Sequence, residues 1–288
     1  MSLILLQIVI SGLLLGAVYA LFSSGLTLVW GMMNVINFAH GDFVMLGMYV
    51  ALIMWKVLGV GPGAAVPMAA ILLATLGIIV YFSLIRHVMK GPMIAQILGT
   101  FGLALLLRYS AFWVFGPNFQ SLPSDIVGGT FDLGGIRLES SRLLAGVFAL
   151  VMTAALHLLL TRSRIGSRMM AVAEDASAAQ LMGIRPEAMQ ALAWGLAGAA
   201  TGIAGALIAT FFYVSPTVGE TLVIIAFVTV SLGGFGSVSG ALIAGLLIGL
   251  IESLSAYLIS PVYKDIVIYA LFVAVLWFRP EGLMGKKA

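Results

Sequence analysis

The chain has 288 residues, of which 62% are hydrophobic and 9% charged, with a formal net charge of +3. Soluble domains carry about 25% charged residues, so a chain with this composition and a mean hydropathy of +1.16 could not cover its surface in water. A soluble globular fold is excluded; the absence of cysteine also excludes disulfides, thiolate metal sites and cysteine nucleophiles.

The apolar residues come in long blocks. No Asp, Glu, Lys or Arg precedes Asp42, and none lies between Lys56 and Arg86. Such blocks suit helices that cross a ~30 Å hydrocarbon core with ~20 residues each. Barrel strands alternate polar and apolar residues, and Leu3 to Met33 shows no such period. That first stretch also lacks the basic flank and short apolar core of a cleavable signal. The expected fold is all-α, a polytopic helical membrane protein forming a single transmembrane domain over 1–288.

In chain order, spanning segments are predicted at Leu5–Trp30, Phe43–Leu58, Ala64–Ile85, Ile94–Phe115, Leu143–Leu160, Met189–Phe212, Leu222–Leu232, Ser239–Ile259 and Ile266–Phe278. Leu222–Leu232 is too short to span unaided, so the count is eight or nine. Loops 116–142 and 162–188 are long enough to hold structure of their own. Arg86, Lys90, Arg162, Arg164, Arg168, Arg185, Arg279, Lys286 and Lys287 fall on one side, and Lys56, Arg137, Arg142 and Lys264 on the other. The richer side is expected to be cytoplasmic, with the N-terminus outside and the C-terminus inside.

Two stretches interrupt the apolar pattern. The first runs from Asn34 to Asp42, the second from Ser231 to Gly240. Broken helices in the two halves of a transporter mark a solute pathway, because non-helical backbone at membrane depth needs protein or water around it. Asn34, Asn37, His40, Asp42, Gly233, Gly234, Gly236 and Ser237 are the candidate pathway residues. Ordinary turns between helices explain the same pattern, and Asp42 also suits a cap on the helix after it. Arg108 and Glu252 are ionisable groups within predicted spans, each seven residues before its helix end. Either they pair with each other across the bundle or each snorkels separately to the interface. Gly12 and Gly16, Gly198 and Gly202, and Gly245 and Gly249 place small residues on single helix faces for close packing.

Between Ser167 and Gly183 an Ala-rich helix is predicted, with Glu174 and Asp175 in its middle and Gly183 as its left-handed terminator. Its apolar residues need a partner or a lipid surface.

Several of these stretches together resemble the LivH-type permeases of branched-chain amino acid ABC importers, over nearly the whole length. They are Asn37-Phe38-Ala39-His40-Gly41-Asp42-Phe43, Gly116-Pro117, Arg168–Ile184, Gly233-Gly234-Phe235-Gly236-Ser237, Glu252 and Arg279-Pro280-Glu281-Gly282-Leu283. The resemblance implies a second related permease (a heterodimer), two cytosolic ATPase subunits and a periplasmic solute-binding protein as partners, in the lipid bilayer of a bacterial inner membrane. It implies an ATPase-docking role for Ala171, Glu174, Asp175, Ala178, Leu181 and Gly183. Cargo in this family ranges over branched-chain and other amino acids, amides and urea. Nucleic acid is not an expected partner.

The chain carries no phosphate-binding loop, since Gly285-Lys286-Lys287 lacks the upstream Gly and the following Ser or Thr. No cofactor is expected to bind this chain; ATP would be used by partner subunits. The rival reading is an ion-coupled secondary transporter of small polar solutes, for which Asp42 and Glu252 are the acidic candidates. An enzyme would need a nucleophile–base or metal constellation, and His40, His87 and His157 sit in unrelated places.

Overall fold

The computed structural model describes residues 2–123, 128–133, 135–279 and 281–285. Helix α1 (Ser2–Met33) is followed by a non-helical segment and by α2 (His40–Leu58). Gly59 ends α2 in a left-handed conformation, φ 63°, and Pro62 opens α3 (Pro62–Val80), the asymmetry expected of helix ends. A π-turn over Tyr81–Ile85 carries α3 into the short α4 (Arg86–Val88), and α5 (Met93–Phe115) returns across the bundle. The following loop contains an antiparallel hairpin, β1 (Thr130–Leu133) and β2 (Ile136–Glu139), with Thr130 opposite Glu139. Helix α6 (Ser140–Arg162) then leads to two short helices, α7 (Arg164–Glu174) and α8 (Ala176–Leu181). The chain finishes with α9 (Pro186–Ile208), α10 (Val218–Gly233), α11 (Val238–Leu258) and α12 (Lys264–Phe278).

Among the described residues, seven helical stretches are long and apolar enough to cross a membrane. Helix α10, with 16 residues, rises only ~24 Å and cannot cross alone. The protein is a multi-pass helical membrane protein, and each of the nine predicted segments is found as a helix.

Helix α9 is the hub. Most of its span is buried, and its glycines let neighbouring backbones approach. Gly202 packs on Ala69 of α3 and against Gly47 of α2, while Gly198 lies against Leu73 of α3. On the other side of the bundle α1 and α11 run antiparallel. A Cβ on Gly12 would stand 2.8 Å from the Gly249 carbonyl oxygen, and one on Gly245 2.6 Å from the Ala20 amide nitrogen. The three small-residue pairs seen in the sequence are thus close-packing positions.

The two ends of the bundle differ. One, the hairpin end, holds β1 and β2 with Lys56, Arg137, Arg142 and Lys264. The other, the basic end, holds α4, α7 and α8 with Arg86, Lys90, Arg162, Arg164, Arg168, Arg185 and Arg279. Lys286 and Lys287 lie outside the described residues.

Candidate functional site: a charged junction between two re-entrant segments

Helix α1 ends at the basic end, where Asn34 takes the left-handed conformation, φ 53°. Asn tolerates it better than most side chains. From there residues 35–39 turn back into the bundle. Thr100 of α5 donates its hydroxyl to the Ile36 carbonyl at 2.9 Å, and the Asn37 side chain accepts from the Ala39 amide at 3.1 Å. His40 then reaches the carbonyl of Phe22 at 2.7 Å. Phe22 lies eleven residues up α1 from Met33, so the segment has climbed ~16 Å from the end of that helix. Helix α2 therefore begins inside the bundle.

A second segment enters from the hairpin side. Val214 pairs through both backbone groups with Gln120 of the long loop, and residues 215–217 descend to the start of α10. There Gly219 packs directly on Asp42: a Cβ at Gly219 would meet the Asp42 carboxylate at 2.8 Å. Two helix N-termini thus abut, with α2 leading to the hairpin end and α10 to the basic end.

Their junction is charged. Arg108 of α5 donates from Nε to Asp42 Oδ1 at 3.2 Å and from Nη2 to Asp42 Oδ2 at 3.3 Å, while its Nη1 contacts Glu220. The Asp42 side chain is fully buried, that of Arg108 is 12% exposed, and that of Glu220 is 56% exposed. Each carboxylate occupies the first turn of its helix, where the amide ends favour negative charge. Toward the basic end, Phe38 packs on Phe227 of α10 at 5.3 Å and on Phe101 of α5 at 6.5 Å between ring centroids. Beside these rings Phe101 itself and Ile224 of α10 are exposed.

Several expectations are corrected by this geometry. Arg108 and Glu252 do not pair: Glu252 accepts from the Tyr19 hydroxyl at 2.8 Å and from Lys264 of α12. The second re-entrant segment is 209–217, not the Gly-rich stretch. Gly233, Gly234, Gly236 and Ser237 form the turn between α10 and α11 at the basic end, beside Gly31 and the C-terminal residues. They lie ~21 Å from Gly219 along α10, so they are not brought together with His40 and Asp42. Of the first group, His40 and Asp42 are at the junction, Asn37 braces the climbing segment, and Asn34 is exposed at its foot.

Glu220 was overlooked in the sequence. The signal available was Ser215-Pro216-Thr217 before Val218-Gly219-Glu220, a helix-start pattern with an acid in the first turn.

The Ala-rich helix is in fact two helices. Asp175, placed mid-helix by the sequence reading, accepts from the Ser177 and Ala178 amides at 2.8 and 3.0 Å, capping α8 and breaking the chain from α7. Met169, Val172 and Ala179 are buried beside Leu28, Met32, Leu156 and Ala193. Glu174, Asp175, Ala178 and Leu181 are exposed, Ala171 is half-buried, and Gly183 closes α8 at φ 81°. Leu181 and Met182 are 90% and 83% exposed.

The family model described as "Branched-chain amino acid transport system / permease component" matches residues 8–276. The chain belongs to this family. It is 30% identical to the high-affinity branched-chain amino acid transport system permease protein BraD of Pseudomonas aeruginosa, over 98% of this chain and 96% of that one. The LivH permease protein of Escherichia coli K12 is 31% identical with the same coverage. The permease protein LivM, also from E. coli K12, is 25% identical over 93% of this chain and 68% of its own length. Among solved structures, "PsaBC from Streptococcus pneumoniae in complex with Fab" matches with a TM-score of 0.50 at 10% identity, over 94% of this chain and 91% of that one, a likeness of fold alone.

Proposed function

We propose that this permease is one membrane subunit of an ATP-binding-cassette importer that moves branched-chain amino acids, or related small amino-acid and amide solutes, by alternating access. The observation that carries the reading is the junction of two re-entrant segments at Arg108, inside a bundle whose family match runs through residues 8–276. Discontinuous helices with their N-termini at one point are how membrane transporters present backbone and charge to a solute.

The basic end faces the cytosol of a bacterial inner membrane, by the excess of Lys and Arg there. The N-terminus is then periplasmic. A second, related permease completes the pathway, as the likeness to LivM supports. A periplasmic solute-binding protein docks at the hairpin end. ATP is used by two cytosolic ATPase subunits, and no cofactor is held by this chain. The exposed apolar tip of α8, with Glu174, Asp175 and Ala178 beside it, is the ATPase contact, since Leu181 and Met182 project away from the bundle next to charged loops. ATP-driven closure of the ATPases moves α7 and α8, which are packed on α1, α6 and α9.

Co-purification in mild detergent followed by uptake into proteoliposomes tests this. Recovery of ATPase subunits and a sister permease is expected, with amino-acid uptake that needs ATP and survives collapse of the proton and sodium gradients. A chain recovered alone and driven by an ion gradient would mean the ion-coupled transporter instead.

A further inference from the structure

The charged junction has one fixed contact and one exchangeable contact. Asp42 holds Arg108 through two nitrogens from the fully buried side. Glu220 of α10 holds the remaining Nη1 from the exposed face of the junction, with more than half of its side chain exposed. A solute arriving along that face can displace Glu220 without disturbing the buried pair.

We propose that Arg108 and Glu220 form a recognition site for a zwitterionic amino acid, Arg108 Nη1 taking the α-carboxylate and the released Glu220 carboxylate taking the α-ammonium. Charge balance selects the solute class. One guanidinium faces two carboxylates, and the two helix N-termini that abut here each add roughly half a positive charge, so the empty junction is close to neutral. A zwitterion exchanges one ion pair for two and leaves that sum unchanged. A net cation or anion keeps only one of the two pairs and leaves a protein charge without a partner, so it binds more weakly than the zwitterion. The solute side chain has a place as well. Phe101 lies seven residues before Arg108 on α5, and Phe227 seven residues after Glu220 on α10. Both therefore sit ~10 Å toward the basic end, where Phe38 joins them. An apolar side chain pointing that way meets these rings.

The inference rests on the importer reading, so its test is run beside an uptake assay. The purified complex, with whatever partners co-isolate, is placed in lipid nanodiscs without binding protein. Contact with three probes is followed by saturation-transfer NMR: L-leucine, L-leucinamide, which lacks the carboxylate, and 4-methylpentanoate, which lacks the ammonium. Glu220→Gln is expected to weaken leucine and leucinamide by about tenfold or more, the loss of a charge-assisted contact, and to spare 4-methylpentanoate. Arg108→Lys, which keeps a cation on buried Asp42 but loses the Nη1 fork, is expected to weaken leucine and 4-methylpentanoate and to spare leucinamide. Glu220→Asp should restore part of the leucine signal.

A misfolded variant would lose all three probes together and is recognised by a lowered thermal midpoint, so Glu220→Gln that keeps its midpoint yet acts equally on all three probes, or on none, overturns the assignment. Should wild-type proteoliposomes import amino acids under ATP without this crossed pattern, the importer stands and the site falls. The crossed pattern without ATP-driven uptake would keep the site and remove the importer reading.

Discussion

Asp42 has no exposed surface, and its only cation among the described residues is Arg108, whose side chain is itself largely covered. Removing one partner of a buried pair leaves an uncompensated charge and costs about 3–5 kcal/mol, whereas replacing both by apolar groups of similar size is often neutral. Asp42→Leu alone is therefore expected to lower the detergent thermal midpoint sharply, while Asp42→Leu with Arg108→Met recovers most of it and still fails to transport. A double variant as unstable as the single one would mean that Asp42 matters to the fold through something other than Arg108. Glu252 offers a contrast, since its partners Tyr19 and Lys264 tie α1, α11 and α12 together. Tyr19→Phe leaves that carboxylate one donor short and should cost about 1–3 kcal/mol, read as a lower thermal midpoint with solute preference unchanged. These partnerships were not legible in the sequence. Periodicity ranks residues along one helix axis, but Arg108 meets partners 66 and 112 positions away, and only the packing of α5 against α2 and α10 selects them. That Asp42 and Arg108 are charges in apolar stretches was legible; which charges meet was not.

Helices were far easier to read than their junctions. Hydrocarbon thickness fixes span length, so the nine segments follow from where apolar runs stop, and boundaries missed by a few residues do not alter them. Breaks inside the bundle carry no such ruler. The Gly-rich stretch from Ser231 looks like a broken helix but is a turn against Gly31, whereas residues 209–217, read from the sequence as the end of a span and the loop after it, supply the second re-entrant segment. Helix α8 shows the same limit at shorter range. Composition favoured one helix between Ser167 and Gly183, yet the Asp175 carboxylate competes for the amides ahead of it and ends α7. The division sets up a test at this scale. Leu181→Asp changes a side chain that is 90% exposed, so stability should move by less than about 0.5 kcal/mol while co-purification of ATPase subunits is lost. Met169→Asp places a charge at a fully buried position against α1 and α6 and should destabilise the whole chain. If Leu181→Asp keeps its ATPases, the tip of α8 is not where they bind.

The bundle as a whole depends on how its short helix is held at both ends. Helix α10 starts at the charged junction and finishes at the basic end, too short to be fixed by the bilayer alone. Its last carbonyls would be orphans at a helix C-terminus, and the C-terminal residues supply the missing donors. The Leu283 amide donates to the Leu232 carbonyl at 2.8 Å, and the Met284 amide to the Gly233 carbonyl at 3.0 Å. Gly282 and Gly285 fit closely against Gly234, whose φ of 100° only glycine adopts without strain. A chain truncated after Arg279 loses both donors, so opening of this turn should be favoured by roughly 1–3 kcal/mol for each carbonyl left without a partner. Hydrogen exchange reads the consequence by region. Amides from Val230 to Gly240 are expected to exchange faster in the truncated protein, whereas those of α1 and α11, locked together by Gly12, Gly16, Gly245 and Gly249, should keep their protection. Faster exchange spreading to the first turns of α10 and α2 would show that the tail reaches the Arg108 junction through α10. Unchanged exchange at Val230 to Gly240 would mean that water satisfies those carbonyls and that the tail is not what holds the short helix in place.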